Sequence, residues 1–320
     1  MNNKSEYRFP LQIQSELKVF RGYLQRQGYK MNTIRHKCNY TGLYLLWLES
    51  ERMQADETRY NDLLSFVDHL RDSGKSIKHV NTVLLSIRNY YDFLKLTHEN
   101  IISPASNLYL RGTKRKVPSG ILSYQTLEQL YTRYPATDHR MARNRVMLGL
   151  VIYQGLATGE LHRLTIHHIK LREGKIHVPG FGRSAGRTLE LKSFQVIELN
   201  EYINQVRPAL INQADAPKPY GRRAYKTRVK GPEQLFISVN GSGNLKNSLH
   251  HLFCFLKKDY PEVNSAGQIR QSVMVHWLKS YDLRQVQYMA GHRWVSSTER
   301  YRLDNLEGLQ AELDKYHPLG

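Results

Sequence analysis

The sequence predicts a mainly α-helical chain in two parts, an all-α N-terminal domain and an α+β C-terminal domain with a small β-hairpin. Three observations predict it. Apolar residues recur at helical spacing in four segments before residue 110. The run R-G-T-K-R-K-V-P-S-G, residues 111–120, then breaks that period with four positive charges, two glycines and a proline. Beyond it the helical spacing resumes, interrupted once by two short strand-like runs around a Gly-rich turn. The length of 320 residues fits two cores better than one. The expected division is 1–110, a basic linker 111–120, and 121–320.

The first helix covers residues 11–27, with Leu11, Phe20 and Leu24 among its apolar positions, and Gly28 ends it. The second runs from Met31 to Leu48. Asn32 is placed to cap it, Arg35, His36 and Lys37 occupy its first turns, and Leu43, Leu46 and Trp47 supply an apolar stripe. A third helix spans about Tyr60 to Arg71 through Leu63, Leu64, Phe66, Val67 and Leu70, and Gly74 breaks it. The fourth lies within Lys75–Leu94, where Val80, Val83, Leu84, Ile87, Tyr91 and Leu94 share a face and Lys75, Lys78, His79 and Arg88 lie mostly off it.

After the linker, Ser123 caps a helix to about Tyr134, and Arg143–Gln154 forms an apolar helix with a basic start. Gly155 ends that helix and A-T-G-E-L begins another at Ala157. Lys175–Val178 and Thr188–Leu191 form the hairpin. Phe194–Val206 reads as helix, 213–232 as a polar basic loop, Leu235–Val239 as a short strand or turn, and Leu245–Lys258 as helix. Arg270–Tyr301 holds two or three more helices, and Leu306–Tyr316 closes the chain as an amphipathic helix.

Lys and Arg total 47 against 28 Asp and Glu, a net charge of +19. That excess fits a polyanionic partner, of which nucleic acid is the commonest. The 40% hydrophobic content excludes a disordered basic tail. Cys38 and Cys254 lie too far apart in sequence for a disulfide framework or a zinc motif, which points to a reducing cytoplasm. The N-terminus carries no signal-peptide core, and the longest apolar run, Val146–Tyr153, is too short to span a bilayer. Taken singly, the basic residues at the helix starts read as solvated charges. As a cluster, Arg35, Lys37, Lys78 and Arg88 with Lys114, Arg115 and Lys116 of the linker read as contacts to a DNA backbone.

The stretch Arg270–Tyr301 carries the chemistry. Arginine is a fixed planar phosphate clamp. Histidine exchanges protons near neutrality. Tyrosine is a nucleophile when its ionisation is assisted. Arg270, His292 and Tyr301, the last two nine positions apart, together suggest phosphoryl transfer onto a protein hydroxyl. Each alone has an ordinary reading: a backbone contact, a turn, and one of 21 tyrosines.

In order along the chain, these motifs resemble the tyrosine site-specific recombinases, or phage integrases. N-T-I-R (32–35) and N-T-V-L-L-S-I-R-N-Y-Y-D-F-L (81–94) look like that family's helical core-binding domain. G-L-A-T-G-E-L (155–161), M-A-G-H (289–292) and S-S-T-E-R-Y (296–301) look like its catalytic domain. The resemblance implies the DNA breaking-rejoining fold and attack by Tyr301 on a scissile phosphate, giving a 3′-phosphotyrosyl link and a free 5′-hydroxyl. It implies Arg270 on the non-bridging oxygens, His292 on the phosphate or its protons, and Glu160 orienting a neighbour. No metal, cofactor, membrane or small-molecule substrate is implied. The partner is double-stranded DNA, clamped between the two halves by a homotetramer on paired sites. A partner recombinase in that assembly, docking of the C-terminal helix on a neighbouring protomer, and a nucleoid-associated place in the bacterial cytoplasm complete the expectation.

Three positions depart from the family pattern. Its first arginine falls on Ala157, the histidine or lysine before its second on Gly267, and its hairpin lysine on Phe181. Two readings follow. Other residues substitute, with Arg145 as phosphate clamp and Arg183 as hairpin donor; otherwise Arg183 and Arg187, flanking the hairpin turn, are contacts to the DNA backbone. Alternatively, the chain is a catalytically weak DNA-binding accessory subunit. A relaxing topoisomerase is a third reading, to which the separate N-terminal domain fits less well.

Overall fold

Sequence periodicity becomes helix nearly everywhere it is expected in the computed structural model, which describes residues 9–96, 101–112, 118–215 and 233–302. Lys114, Arg115 and Lys116 of the linker, most of the 213–232 loop and the closing helix Leu306–Tyr316 lie outside the described residues. The chain divides into two compact units, Met1–Arg115 and Lys116–Gly320.

The first unit holds α1 (Leu11–Arg26), α2 (Met31–Ser50), α3 (Tyr60–Asp72) and α4 (Ile77–Leu94). Helix α1 buries Ile13, Leu17, Phe20 and Leu24, a 4-3-4 spacing that forms one stripe. Leu11 opens the helix ahead of that stripe and is exposed. Helix α2 starts one residue before Asn32, so Asn32 does not cap it and instead accepts a 3.3 Å hydrogen bond from Arg35. Its stripe is Ile34, Cys38, Tyr44, Leu45 and Leu48, and Leu46 faces outward. Phe20 meets Tyr90 edge-on at 5.6 Å, and the buried hydroxyls of Tyr44 and Tyr91 share a 2.8 Å hydrogen bond, so the aromatic core keeps its polar tips satisfied.

The second unit contains α5 (Tyr124–Thr132), α6 (His139–Tyr153), α7 (Thr158–Leu161), β1 (Ile169–Lys170), β2 (Lys175–Val178) and β3 (Arg187–Glu190). It continues with α8 (Ser193–Glu201), α9 (Arg207–Asp215), α10 (Lys246–Asp259), α11 (Ala266–Ser280), α12 (Leu283–Ala290) and α13 (Ser296–Glu299). Ser123 caps α5 by accepting from the Thr126 N–H at 3.0 Å. Helix α6 begins four residues before Arg143, at His139, because Asp138 accepts from the Met141 N–H at 2.6 Å. It is buried nearly all round, with Met147, Leu148 and Leu150 at zero exposure, and α5, α8, α9 and α11 pack on it. Arg143 is inside the protein: its guanidinium donates to the Ile237 carbonyl at 2.8 Å and to Asn144.

The three strands form an antiparallel sheet in sequence order, with Ile176 opposite Leu189 and Val178 opposite Arg187. Alternation places Ile176, Val178, Arg187 and Leu189 on the core face. Residues 235–239 make no strand. They are held by an isolated bridge between Thr165 and Gln234 and by Leu235 N–H on the Leu164 carbonyl at 2.8 Å. No helix among the described residues is long and apolar enough to cross a membrane.

Candidate active site

Gly155 turns the chain out of α6 in the left-handed region, φ +58°, where the Trp277 ring leaves no room for a Cβ. The next residues enter α7, whose first turn points Glu160 inward. Glu160 is buried, and its carboxylate accepts from the Ala157 N–H at 2.8 Å, from Ser184 Oγ at 2.7 Å and from two arginines. Arg187 of β3 grips it with both ends of the guanidinium, Nη1 at 2.7 Å and Nη2 at 3.1 Å, and Arg270 of α11 adds Nη1 at 3.1 Å. Burial pushes the Glu160 carboxyl up, but the hydrogen bonds and charge of Arg187, then Arg270 and Ser184, overcome it and leave the group lowered to about 2. The carboxylate is therefore a permanent anion holding two cations.

Arg270 is fixed on its other sides by the Gly155 carbonyl and by the Ala290 carbonyl at 2.5 Å. Its side chain keeps 14% exposure, whereas that of Arg187 has none. Arg270 can thus meet a ligand, and Arg187 acts on one only through Glu160.

Helix α12 ends at Gly291, φ +68°, and His292 follows. A Cβ at Gly291 would lie 2.3 Å from Arg187 Nη1, so the glycine serves both the turn and the arginine behind it. The hairpin turn reaches the same place: Ala185 N–H donates to the Gly291 carbonyl at 2.8 Å, and Ser184 bridges to both Phe181 and His292. His292 Nδ1 lies 2.9 Å from Thr298 Oγ1. Burial, then Arg270, Arg300 and Arg187, push the imidazole down to about 4, so it is a neutral base at physiological pH. Tyr301 follows α13, packed against Met274, Val275 and Ala290, with its ring stacked on His292 at 6.2 Å and 11°. Its hydroxyl accepts a hydrogen bond from Arg300. Arg183, His292, Trp294, Ser297 and Arg300 line an open cleft of about 430 Å³ there. Trp294 is exposed, a wall rather than core.

The structure thus gathers Glu160, Arg270, His292, Tyr301 and Arg187, with Arg183 at the cleft. It does not bring Arg145 to them. Arg145 donates to Glu198 at 2.9 Å and to the Tyr134 carbonyl at 3.0 Å, and its guanidinium lies over the Tyr131 ring. Its donors are spent on tying α6 to α5 and α8, so it is a brace and not a clamp. Arg145→Ala is expected to lower stability by about 1 kcal/mol, the upper end for partly exposed ion pairs, and to leave DNA cleavage unchanged. Denaturant melts beside cleavage assays check this. Arg187, expected as a DNA contact, is buried inside the site because Glu160 compensates its charge.

The three departures have definite occupants. Ala157 caps α7 with its N–H on Glu160. Gly267 sits in the first turn of α11. Phe181 is half exposed with the Arg163 guanidinium 4.2 Å above its ring. In the first unit, Arg35 and Lys78 are exposed. Lys37 is buried with its ammonium on Asn89, and Arg88 donates to the Ala105 and Leu108 carbonyls at 2.6 Å each. Both have internal work, because their long stems cross the helix interface before the charge finds an acceptor. Sequence reasoning missed Ser184, Thr298 and Arg300. The signal for Arg300 was its place beside the candidate nucleophile, and Ser184 and Thr298 carried none. No group of three or more metal-ligating side chains occurs among the described residues.

Residues 121–307 match the sequence pattern of the phage integrase family. The tyrosine recombinase XerC of Natranaerobius thermophilus is 27% identical over 84% of this chain and 86% of its own length. The tyrosine recombinase XerD of Oceanobacillus iheyensis is 28% identical over 86% and 88%. In fold, the chain is similar to the XerH site-specific recombinase in a post-cleavage complex with a palindromic difH substrate. The TM-score is 0.64 at 19% identity, covering 88% of this chain and 78% of that one. The Tn1549 transposon integrase with circular-intermediate DNA gives 0.59 at 17% identity over 93% and 99%.

Proposed function

Since the chain belongs to the phage integrase family, we propose that it is a site-specific DNA recombinase that cuts and rejoins strands through a 3′-phosphotyrosyl link at Tyr301. Arg270 is held by the buried Glu160, its charge acts on His292, and the His292 ring stacks on Tyr301; this cluster supports the reading.

In the cleavage step Tyr301 Oη attacks the scissile phosphorus. The Oη–P bond forms and the P–O5′ bond breaks. The phenolic proton passes to His292, neutral and ready to accept it, and from there to the departing 5′ oxygen. Rejoining by a 5′-hydroxyl from a partner strand reverses the step, and the bond energy stays in the covalent intermediate. Arg270 faces the non-bridging oxygens and offsets charge developing on them. Glu160 holds Arg270 in register, and Arg187 holds Glu160.

The substrate is double-stranded DNA, met by the first unit through exposed charges such as Arg35 and Lys78 and by the second through Arg183 at the cleft. The first unit serves DNA binding and the second catalysis. A homotetramer on paired sites, with or without a partner recombinase, in the cytoplasm beside the nucleoid, is the assembly that strand exchange requires.

The test is a suicide duplex, nicked so that the 5′-hydroxyl fragment diffuses away. An adduct that survives denaturant and depends on Tyr301 is expected. If the protein binds its cognate site and forms no adduct there, it is an accessory DNA-binding protein.

A further inference from the structure

We propose that Arg300 is a catalytic residue of this site, taking the place of the phosphate clamp absent at Ala157 by acting from the nucleophile's own side. The inference rests on the recombinase reading and deepens it. Arg300 Nη2 donates to Tyr301 Oη, and its guanidinium carbon lies 4.7 Å from the centre of the tyrosine ring. The ring itself is anchored in apolar contacts, and Arg300 is the side chain that meets its hydroxyl. Arg300 also lines the cleft with His292 and Arg183, and no carboxylate among the described residues pairs with it. Of the guanidinium groups around Glu160 and Tyr301, Arg187 is sealed and Arg270 has its forks on Glu160 and two carbonyls. Arg300 is the exposed one that touches the reacting oxygen.

The fork geometry explains how one residue serves both steps. A guanidinium presents five donors in a plane. One N–H on Oη stabilises the tyrosinate as it forms, while the others are directed into the cleft where the non-bridging oxygens arrive. Once the Oη–P bond is made, Oη becomes an ester oxygen and the cation stays on the phosphate. In rejoining, the Oη–P bond breaks, the electron pair returns to Oη, and the same N–H donates to that oxygen. The proton route through His292 is unchanged.

The experiment compares parent, Arg300→Ala and Arg300→Lys on a suicide duplex with the natural 5′ oxygen and on one with a bridging 5′ sulfur, whose departure needs no proton. Because Arg300 is exposed, both variants are expected to fold. The expected result is a loss in adduct rate of about 100- to 1000-fold for Arg300→Ala on both substrates, as for other transition-state donors, with partial recovery in Arg300→Lys. Equilibrium binding to the same duplex should change by less than about threefold, an effect on the transition state alone. The inference is overturned if Arg300→Ala cleaves at the parent rate, if the sulfur substrate restores its rate, which makes it a proton donor to the leaving group, or if binding falls in step with rate, which makes it a backbone contact. A parent protein without adduct removes the recombinase reading itself, an outcome separate from these three.

Discussion

Replacing Arg187 with alanine is expected to destabilise the second unit by about 3–5 kcal/mol, the range for breaking one side of a buried ion pair. Glu160 and the Arg187 side chain are both sealed from solvent, and the pair is bidentate. Without the guanidinium, the carboxylate keeps Arg270, Ser184 and the Ala157 N–H but faces a cavity where its strongest partner stood. Arg187→Lys is expected to recover little, since an ammonium cannot reproduce the fork. The pH dependence follows with its sign. Glu160 titrates at about 2 in the folded protein against an ordinary 4.5, so its contribution is complete above pH 4.5 and is lost as pH falls toward 2. His292, lowered from 6.5 to about 4, acts in the same direction at higher pH: its contribution is lost between 6.5 and 4. In Arg187→Ala the limb below pH 4.5 should flatten, because the carboxyl is no longer held down by its main partner. Urea melts at several pH values measure both effects. A cost under about 1 kcal/mol at pH 7, the size of an ordinary surface pair, would mean that Arg187 is not the anchor of Glu160.

Tyr301→Phe is expected to abolish adduct formation and strand exchange, a loss of about a millionfold as for other deleted nucleophiles. The variant should bind DNA and melt like the parent. The ring makes the packing contacts, against Met274, Val275 and Ala290, and phenylalanine keeps all of them. The hydroxyl's hydrogen bond is to Arg300, an exposed residue that finds water in its place. The stability change is therefore expected within about 0.5 kcal/mol. Any adduct remaining at a measurable fraction of the parent rate would place the nucleophile elsewhere in the chain.

Most of the helices were legible because their periods are strong. The stripe of α4 and the Ser123 cap of α5 needed only local sequence. Strand β1, two residues long, carries too little pattern to be seen, and the 235–239 run is apolar because it lies in the core beside Leu164 rather than in the sheet. The retained half of the site was legible as spacing, with Glu160, Arg270, His292 and Tyr301 at recognisable intervals. Its completion was not, because a charged side chain reads as surface until its partner is known. Arg187 finds Glu160 and Arg143 finds the Ile237 carbonyl, both far away in sequence. A trace was present in each. Arg187 alternates with Leu189 and Leu191 along one strand face, and Arg143 stands one turn before Met147 and two before Leu150. Arg145, two residues from Arg143, lies off that stripe and has Glu198 for company.

The closeness of Gly291 to Arg187 bears on how such a site can change over generations. The two positions lie on separate elements, yet each sets what the other tolerates. A lineage that keeps the arginine cannot add so much as a methyl group at the glycine. Loss of the arginine removes the nearest obstacle but leaves Ser184 Oγ and the left-handed backbone, so a side chain at 291 stays costly, and one gained afterwards closes the way back. The pair behaves as a ratchet: the order of mutations, and not only their sum, decides which recombinase sites can descend from this one.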